Sequence, residues 1–296
     1  MAKLNTKKQS STKRVIVYGA SFSGKTQLVG RLAEHFNLLW IDIENGHGTL
    51  YQLPESYQER IEIVSIPDTR SYPMGIETML KVVKGPVDIC EEHGKCGCMV
   101  CKKTESDFVH VDVNSMDKNT ILVVDSMTQL SNSCIANITK NEADDYKLDY
   151  DDWGNLGKLL DIVLSHVQQA SYNVVFISHV NETIRSDKKV SLTPTGGTRA
   201  FSSNLTKYFT DVVYLERKNK KHTCISTTTA ATNIIAGSQT GVALELLGEP
   251  SLLPLFMPEL APPELTSALA KGKPAGQVTT GAKESAADVL ARLKKK

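Results

Sequence analysis

The chain has 296 residues, 41% of them hydrophobic, and a formal net charge of +1, which suits one large or two small soluble domains and excludes a uniformly basic nucleic-acid binder. No apolar run reaches the length of a membrane span and the first residues carry no apolar signal core, so a cytoplasmic protein with no membrane partner is expected. Four of the six cysteines crowd between Cys90 and Cys101, which in a reducing compartment points to metal rather than disulfides; Cys134 and Cys224 read as buried small apolar residues.

Residues 1–14 are polar and basic without periodicity and read as a disordered arm, either a solubilising tail or a DNA-binding one. The stretch 15–26, VIVYGASFSGKT, then runs from β-branched residues into Gly19 and on to Gly24, Lys25 and Thr26. This is the complete G-x-x-x-x-G-K-[ST] phosphate loop, with a predicted strand before it and a predicted helix after it. The glycines let successive backbone N–H groups converge on phosphate oxygens, and the helix start adds its positive end. The candidate nucleotide cradle is therefore Gly19, Ala20, Ser21, Phe22, Ser23, Gly24, Lys25, Thr26 and Gln27. Lys25 supplies a cation for the phosphates and Thr26 a hydroxyl for Mg²⁺. Leu28, Leu32 and Phe36 recur at helical spacing behind the loop.

Residues 38–44, LLWIDIE, form an apolar run ending in acids, as expected of a central parallel strand that opens on a ligand edge. Glu44 is the candidate for orienting or deprotonating an attacking water, although either Asp42 or Glu44 could instead cap the next turn. Residues 61–66 predict another strand, closed by Pro67, Asp68 and Thr69, and residues 74–83 a helix with Ile76, Met79, Leu80 and Val83 on one face. Residues 121–125, ILVVD, match a Walker B strand, with Asp125 as the Mg²⁺ partner and Ser126 as a possible assistant.

Between these lies the cysteine cluster. Cys90, His93, Cys96, Cys98 and Cys101 offer five soft donors within a dozen residues, and tetrahedral Zn²⁺ needs four. The four cysteines are the expected ligands, with His93 as substitute or outer neighbour. Because the insertion precedes the strand that ends in Asp125, it is expected at the sheet edge opposite the phosphates, which makes the zinc structural or a docking knob.

An acidic, aromatic loop over 144–153 precedes a helix marked by Leu156, Leu159, Leu160, Val163 and Val167. Residues 173–179 predict a buried strand delivering His179 to the ligand edge, either as a γ-phosphate sensor or as a satisfied structural residue. Residues 181–195, with Arg185, Lys188 and Lys189, read as a basic loop ahead of Gly196 and Gly197, either binding a strand through its phosphates or simply solvated. Residues 209–216 and 223–229 alternate as strands around a basic turn at 217–221. Residues 258–281 have linker composition, and 282–296 predict a short amphipathic helix that docks on its own core or on a replication or recombination partner.

The ordered set resembles the RecA family of recombinase ATPases. The resemblance rests on the phosphate loop, Asp42-Ile43-Glu44, Pro67-Asp68-Thr69, Asp125-Ser126, His179 and Thr195-Gly196-Gly197, and is strongest to the short phage-encoded members acting in single-strand annealing or recombination. It implies a RecA-like α/β P-loop NTPase core at 15–257, with helices on both faces of a mainly parallel sheet and a zinc-binding insertion at 85–118. It also implies ATP and Mg²⁺, catalytic roles for Glu44, Lys25, Asp125 and His179, and single-stranded DNA bound by Arg185, Lys188 and Lys189. A homo-oligomer would supply a cation in trans, from Arg217, Lys218, Lys220 or Arg199, in a host cell's cytoplasm if the chain is phage-encoded. The alternatives are an ATP-gated scaffold with little turnover and a hexameric helicase-type motor.

Overall fold

Runs of apolar sequence become the parallel core of one sheet in the computed structural model, which describes residues 12–184, 190–228, 233–239 and 241–260. β1 (Arg14–Gly19) leads through the phosphate loop into α1 (Lys25–Gly30), which tightens into a 3-10 turn over Arg31–Glu34 before β2 (Asn37–Asp42). Next come α2 (Glu55–Gln58), β3 (Ile61–Ser65), a small hairpin of β4 (Asp68–Thr69) and β5 (Tyr72–Pro73), and α3 (Met74–Val82). The insertion holds β6 (Val87–Cys90), α4 (Met99–Lys103) and β7 (Phe108–Val111) ahead of β8 (Thr120–Asp125). α5 (Met127–Thr139), α6 (Tyr150–Gln169), β9 (Asn173–Ile184), β10 (Val190–Pro194) and α7 (Arg199–Asn204) follow. The described chain closes with β11 (Asp211–Lys218), β12 (Lys221–Ile225), β13 (Gly237–Ser238) and α8 (Leu253–Phe256).

The strand order is β12-β11-β1-β9-β8-β2-β3, with β10 added on β9 and β13 on β11. From β11 through β3 every neighbouring pair is parallel, while β12, β10 and β13 are antiparallel additions. Both faces are covered, and the pleat shows why the strands read as unbroken apolar runs. Ile16, Tyr18, Leu39, Ile41, Leu122, Val124, Val174 and Phe176 face the core under α3, α5 and α6. Their neighbours Val15, Val17, Leu38, Trp40, Ile121, Val123, Val175 and Ile177 face the core under α1. This is the RecA-like P-loop arrangement, with one strand, β9, between the phosphate-loop strand and the Walker B strand. Leu252 and Leu255 are buried in the α1-side core and Met257 packs on it, so the folded core extends past the last strand.

The structure departs from the sequence expectations in four places. The helix after the phosphate loop is shorter than the spacing of Leu28, Leu32 and Phe36 suggests, although all three are buried. Helix α5 was not anticipated. Its inward stripe mixes Met127, Leu130 and Cys134 with buried Ser131, Ser133 and Thr139, whose hydroxyls bond to Met127 O, Asp68 Oδ1 and Ile135 O and so blur the apolar period.

The expected loop over 181–195 is largely a β-ribbon, because β9 continues to Ile184 and pairs antiparallel with β10. Finally, the insertion does not stay at the edge opposite the phosphates. Gly94 packs where a Cβ would come within 2.8 Å of Ile66 Cα and Pro67 Cδ, and its carbonyl accepts from Thr78 Oγ1 at 2.7 Å. Ile66 follows the C-terminal end of β3, so the β6–β7 ribbon climbs α3 back to the ligand edge.

Candidate functional site

Register alone brings the predicted residues to one edge. Asp42 lies opposite Asp125, Asp125 opposite Ile177, and Gly19 opposite His179, so β2, β8 and β1 end almost in a row beside the point where β9 carries His179. A cavity of about 470 Å³ opens there between Ser21, Lys25, Thr26, Glu44, Asp125 and His179.

The phosphate loop folds as its residue types require. Gly24 sits at φ 90°, in the left-handed region that favours glycine, and α1 starts immediately after it. At Gly19 a Cβ would stand 2.4 Å from Leu215 O, so the loop can leave β1 beside β11 only with a glycine there. The Phe22 side chain is 92% exposed. Lys25 folds over the loop, its Nζ donating to Gly19 O at 3.1 Å and Ala20 O at 2.9 Å. Burial lowers the Lys25 pKa, while the charges of Glu44 and Asp125 pull it back up.

The two acids at the end of β2 separate into two roles. Asp42 accepts from the Gly46 and His47 backbone N–H groups at 3.2 and 3.3 Å and lies 2.5 Å from His47 Nδ1, so it caps the turn. Glu44, beyond the strand end, lines the cavity instead. Its Oε1 lies 2.9 Å from His179 Nε2, and the other ring nitrogen, Nδ1, lies 3.3 Å from Ser21 Oγ. The His179 hydrogen bond holds the Glu44 carboxyl below the usual carboxylate range against the opposing effect of burial, helped by Ser126 and Lys25.

Asp125 behaves oppositely. Burial, then the charges of Glu44 and Asp42, push it up to about 7, with the Thr26 hydroxyl and Lys25 acting the other way. Thr26 Oγ1 donates to Asp125 Oδ2 at 3.3 Å. A hydroxyl beside a buried carboxyl crowded by like charges is a donor set that a hard divalent cation fits, so Thr26 and Asp125 are the residues that could hold Mg²⁺. Ser126 also caps α5, accepting from Gln129 N at 3.2 Å.

Sequence reasoning missed several contributors. Thr128 Oγ1 accepts from the His179 backbone N–H at 3.0 Å and so fixes the end of that stretch of β9. Arg217, expected to serve a neighbouring subunit, lines the chain's own cavity and donates to Phe22 O at 3.4 Å. Arg217 itself lies in β11, and the turn after it is tighter than expected, with Asn219 and Lys220 at φ 50° and 64° between β11 and β12. Lys218 pairs with Glu216 at 2.8 Å, and Arg199 donates to Ile184 O at 2.5 Å. A second cavity of about 320 Å³ adjoins the loop through Gly24 and Gln27 and reaches Leu28, Arg31, His222 and Pro250. Arg185, Lys188 and Lys189 lie outside the described residues, as does the 282–296 helix.

The cysteine expectation needs correction. The donor atoms of Cys90, His93, Cys98 and Cys101 lie within 4.8 Å of one another, and Cys96 is not among them. Cys96 bridges antiparallel to Ile89, and residues directly opposed across such a bridge point to the same face. Ile89 is buried in the main core, so Cys96 packs there too, whereas Cys90 points to the other face with Phe108. His93 takes the fourth place.

A family model described as AAA domain matches residues 11–240 of the chain. No curated protein matches it. Among solved structures, the chain is similar to one described as "Structural and biochemical analysis of a prototypical ATPase from the type III secretion system of pathogenic bacteria", at 13% identity and a TM-score of 0.40. The match covers 69% of this chain and 52% of that one, so this chain spans about half the length of its structural relative. No helix among the described residues is long and apolar enough to cross a membrane.

Proposed function

The chain belongs to the AAA-domain family and is a P-loop ATPase, and from that premise we propose that its hydrolysis is coupled to single-stranded DNA in phage-type recombination, annealing or replication. The triphosphate lies along residues 19–27, where converging N–H groups and Lys25, released from Gly19 O and Ala20 O, take up its charge. The nucleoside extends into the adjoining cavity beside Leu28 and Arg31. Thr26 and Asp125 would hold Mg²⁺, which when bound neutralises charge on the β- and γ-phosphate oxygens. Glu44 accepts a proton from the water whose oxygen attacks the γ-phosphorus as the bond to the bridging oxygen breaks. His179 holds Glu44 in place and ties it to Ser21 of the phosphate loop.

The DNA part of this reading is supported chiefly by the continuity of β9. The strand carrying His179 runs on without a break into the β9–β10 ribbon, and Thr195 N donates back to His179 O at 2.8 Å. A ribbon whose connecting segment is basic (Arg185, Lys188, Lys189), with exposed Ile184 and Val190 at its ends, offers both phosphate contacts and apolar surface for unpaired bases. In a homo-oligomer a neighbouring subunit would supply a further cation; Lys220, at the β11–β12 turn, lines this chain's own adjoining cavity, as Arg217 lines the first.

The test is steady-state ATP hydrolysis with and without single-stranded DNA, beside Lys25→Ala, Glu44→Gln and an Arg185→Ala/Lys188→Ala/Lys189→Ala variant. DNA stimulation that the triple variant loses, while keeping its basal rate, is the expected result. Equal turnover with and without DNA would refute the coupling and favour a nucleotide-gated scaffold.

A further inference from the structure

The insertion has a core of its own, and that core contains almost nothing apolar. Its buried residues are Cys90, Cys98 and Cys101, with Phe108 packed against them. The other face of the insertion is packed on the main core through Ile89, Val111 and Val113, but this outer cluster is too small to be held by apolar burial and needs a staple. A single disulfide would join two of the three converging thiols and leave the third thiol and the imidazole beside it unused. The fourth member of the group is an imidazole: His93 Nδ1 stands 3.0 Å from Cys101 Sγ and 3.9 Å from Cys98 Sγ.

We propose that Cys90, His93, Cys98 and Cys101 bind one structural Zn²⁺ that forms the core of this insertion, with Cys96 excluded from the ligand set. Tetrahedral zinc, with Zn–S near ~2.3 Å and Zn–N near ~2.0 Å, places its donors roughly 3.5–3.8 Å apart, and the four atoms here already lie within 4.8 Å of one another. Two residues separate Cys90 from His93, and two separate Cys98 from Cys101, so the site is made of two short chelating pairs. Gly94 and Gly97, at φ 62° and 65°, turn the chain between the pairs through left-handed conformations.

All four positions are filled by protein, so no coordination site is left for a reacting water. The metal acts on folding instead. It fixes the knuckle whose Gly94 carbonyl takes the Thr78 hydroxyl midway along α3 and whose backbone lies against Ile66 and Pro67. Zinc binding is therefore coupled to the packing of the insertion against the junction of β3 and α3.

The experiment measures metal in the full-length protein, expressed with zinc and purified without chelator, by elemental analysis. A parallel sample is stripped and titrated with Co²⁺, whose visible bands report tetrahedral thiolate coordination. About one zinc per chain is expected in the wild type and in Cys96→Ser, with a strong decrease in His93→Ala and Cys101→Ser and a lower Tm on chelation. If the His93 and Cys101 variants are insoluble, the wild-type Co²⁺ spectrum and its persistence in Cys96→Ser decide the matter. No stoichiometric zinc together with no tetrahedral Co²⁺ bands in the wild type would overturn the site. Loss of metal in Cys96→Ser with retention in His93→Ala would overturn the ligand set.

Discussion

His179 Nε2 stands 2.9 Å from Glu44 Oε1, a contact that reaches from β9 across β8 to the chain just beyond β2. With its proton on Nε2 the ring donates to the carboxylate and accepts at Nδ1 from the Ser21 hydroxyl. One side chain thus links the phosphate loop to the carboxylate proposed to activate water. His179→Ala is expected to lower kcat about tenfold or more with a smaller change in KM. Because the lost hydrogen bond is the largest cause of the lowered Glu44 pKa, the acid limb of the kcat–pH profile should move to higher pH. His179→Gln, which still donates an N–H, should restore most of both. An acid limb that stays put in His179→Ala would show that the contact does not matter in turnover.

Glu44 and Asp42 should separate cleanly on substitution. Glu44→Gln keeps size and polarity but removes the proposed base, so hydrolysis should fall by roughly 10²–10⁴-fold while a fluorescent ATP analogue still binds. Asp42→Asn weakens the acceptor of the Gly46 and His47 N–H groups, and should cost about 1–2 kcal/mol of stability with a much smaller loss of rate per folded molecule. Single-turnover kinetics beside urea denaturation checks both, and the reverse pattern would exchange the two roles.

Asp125→Asn should stabilise the nucleotide-free protein while abolishing Mg²⁺-dependent hydrolysis. The folded-state pKa of Asp125 is raised to about 7, against an unfolded value near ~3.9. The folded state therefore binds more protons between those values, and this group's contribution to stability falls as pH rises through that window. Above it, the buried anion costs on the order of 2–4 kcal/mol. Melting in EDTA at pH 5 and pH 8 should show the wild type losing stability toward pH 8 relative to Asp125→Asn. Parallel melting curves for the two proteins would contradict this.

Gly19→Ala should damage the sheet as well as the loop. The new Cβ meets Leu215 O, a backbone atom of the adjacent parallel strand, at 2.4 Å, so β1 and β11 must part. A loss of about 1–3 kcal/mol in chemical denaturation is expected, together with loss of nucleotide binding. A variant as stable as the wild type would show that the strands yield more easily than their register implies.

Much of this was legible without coordinates because its physics is local. The phosphate loop is a consecutive stretch whose glycines and lysine act through their own backbone, and strands buried on both faces leave unbroken apolar runs such as ILVVD. Glu44, Asp125 and His179 could be nominated because each follows such a run. Where local pattern and environment disagreed, the reading failed. Helix α5 went unread because serines interrupt its apolar stripe, and the Asp68 carboxylate that satisfies the buried Ser133 hydroxyl is supplied only by the fold. The β9–β10 ribbon looked like a loop because polar residues dominate it, and Ser191 and Thr193 are buried only by the pairing and packing of β10.

By itself, then, the amino-acid order determined the nucleotide cradle, the buried strands and the set of candidate side chains, all through interactions spanning a few residues. Tertiary structure alone decided among those candidates. Asp42 and Glu44 are two residues apart, but only the turn at Asn45, at φ 58°, gives one to a cap and the other to the cavity. Cys96 lies nearer than His93 to Cys98 and Cys101 in sequence, yet the pairing of Cys96 with Ile89 turns its side chain against the main core. Such choices depend on which face of a pleat a side chain occupies and on which strand lies beside it, and those are set by pairing between distant segments.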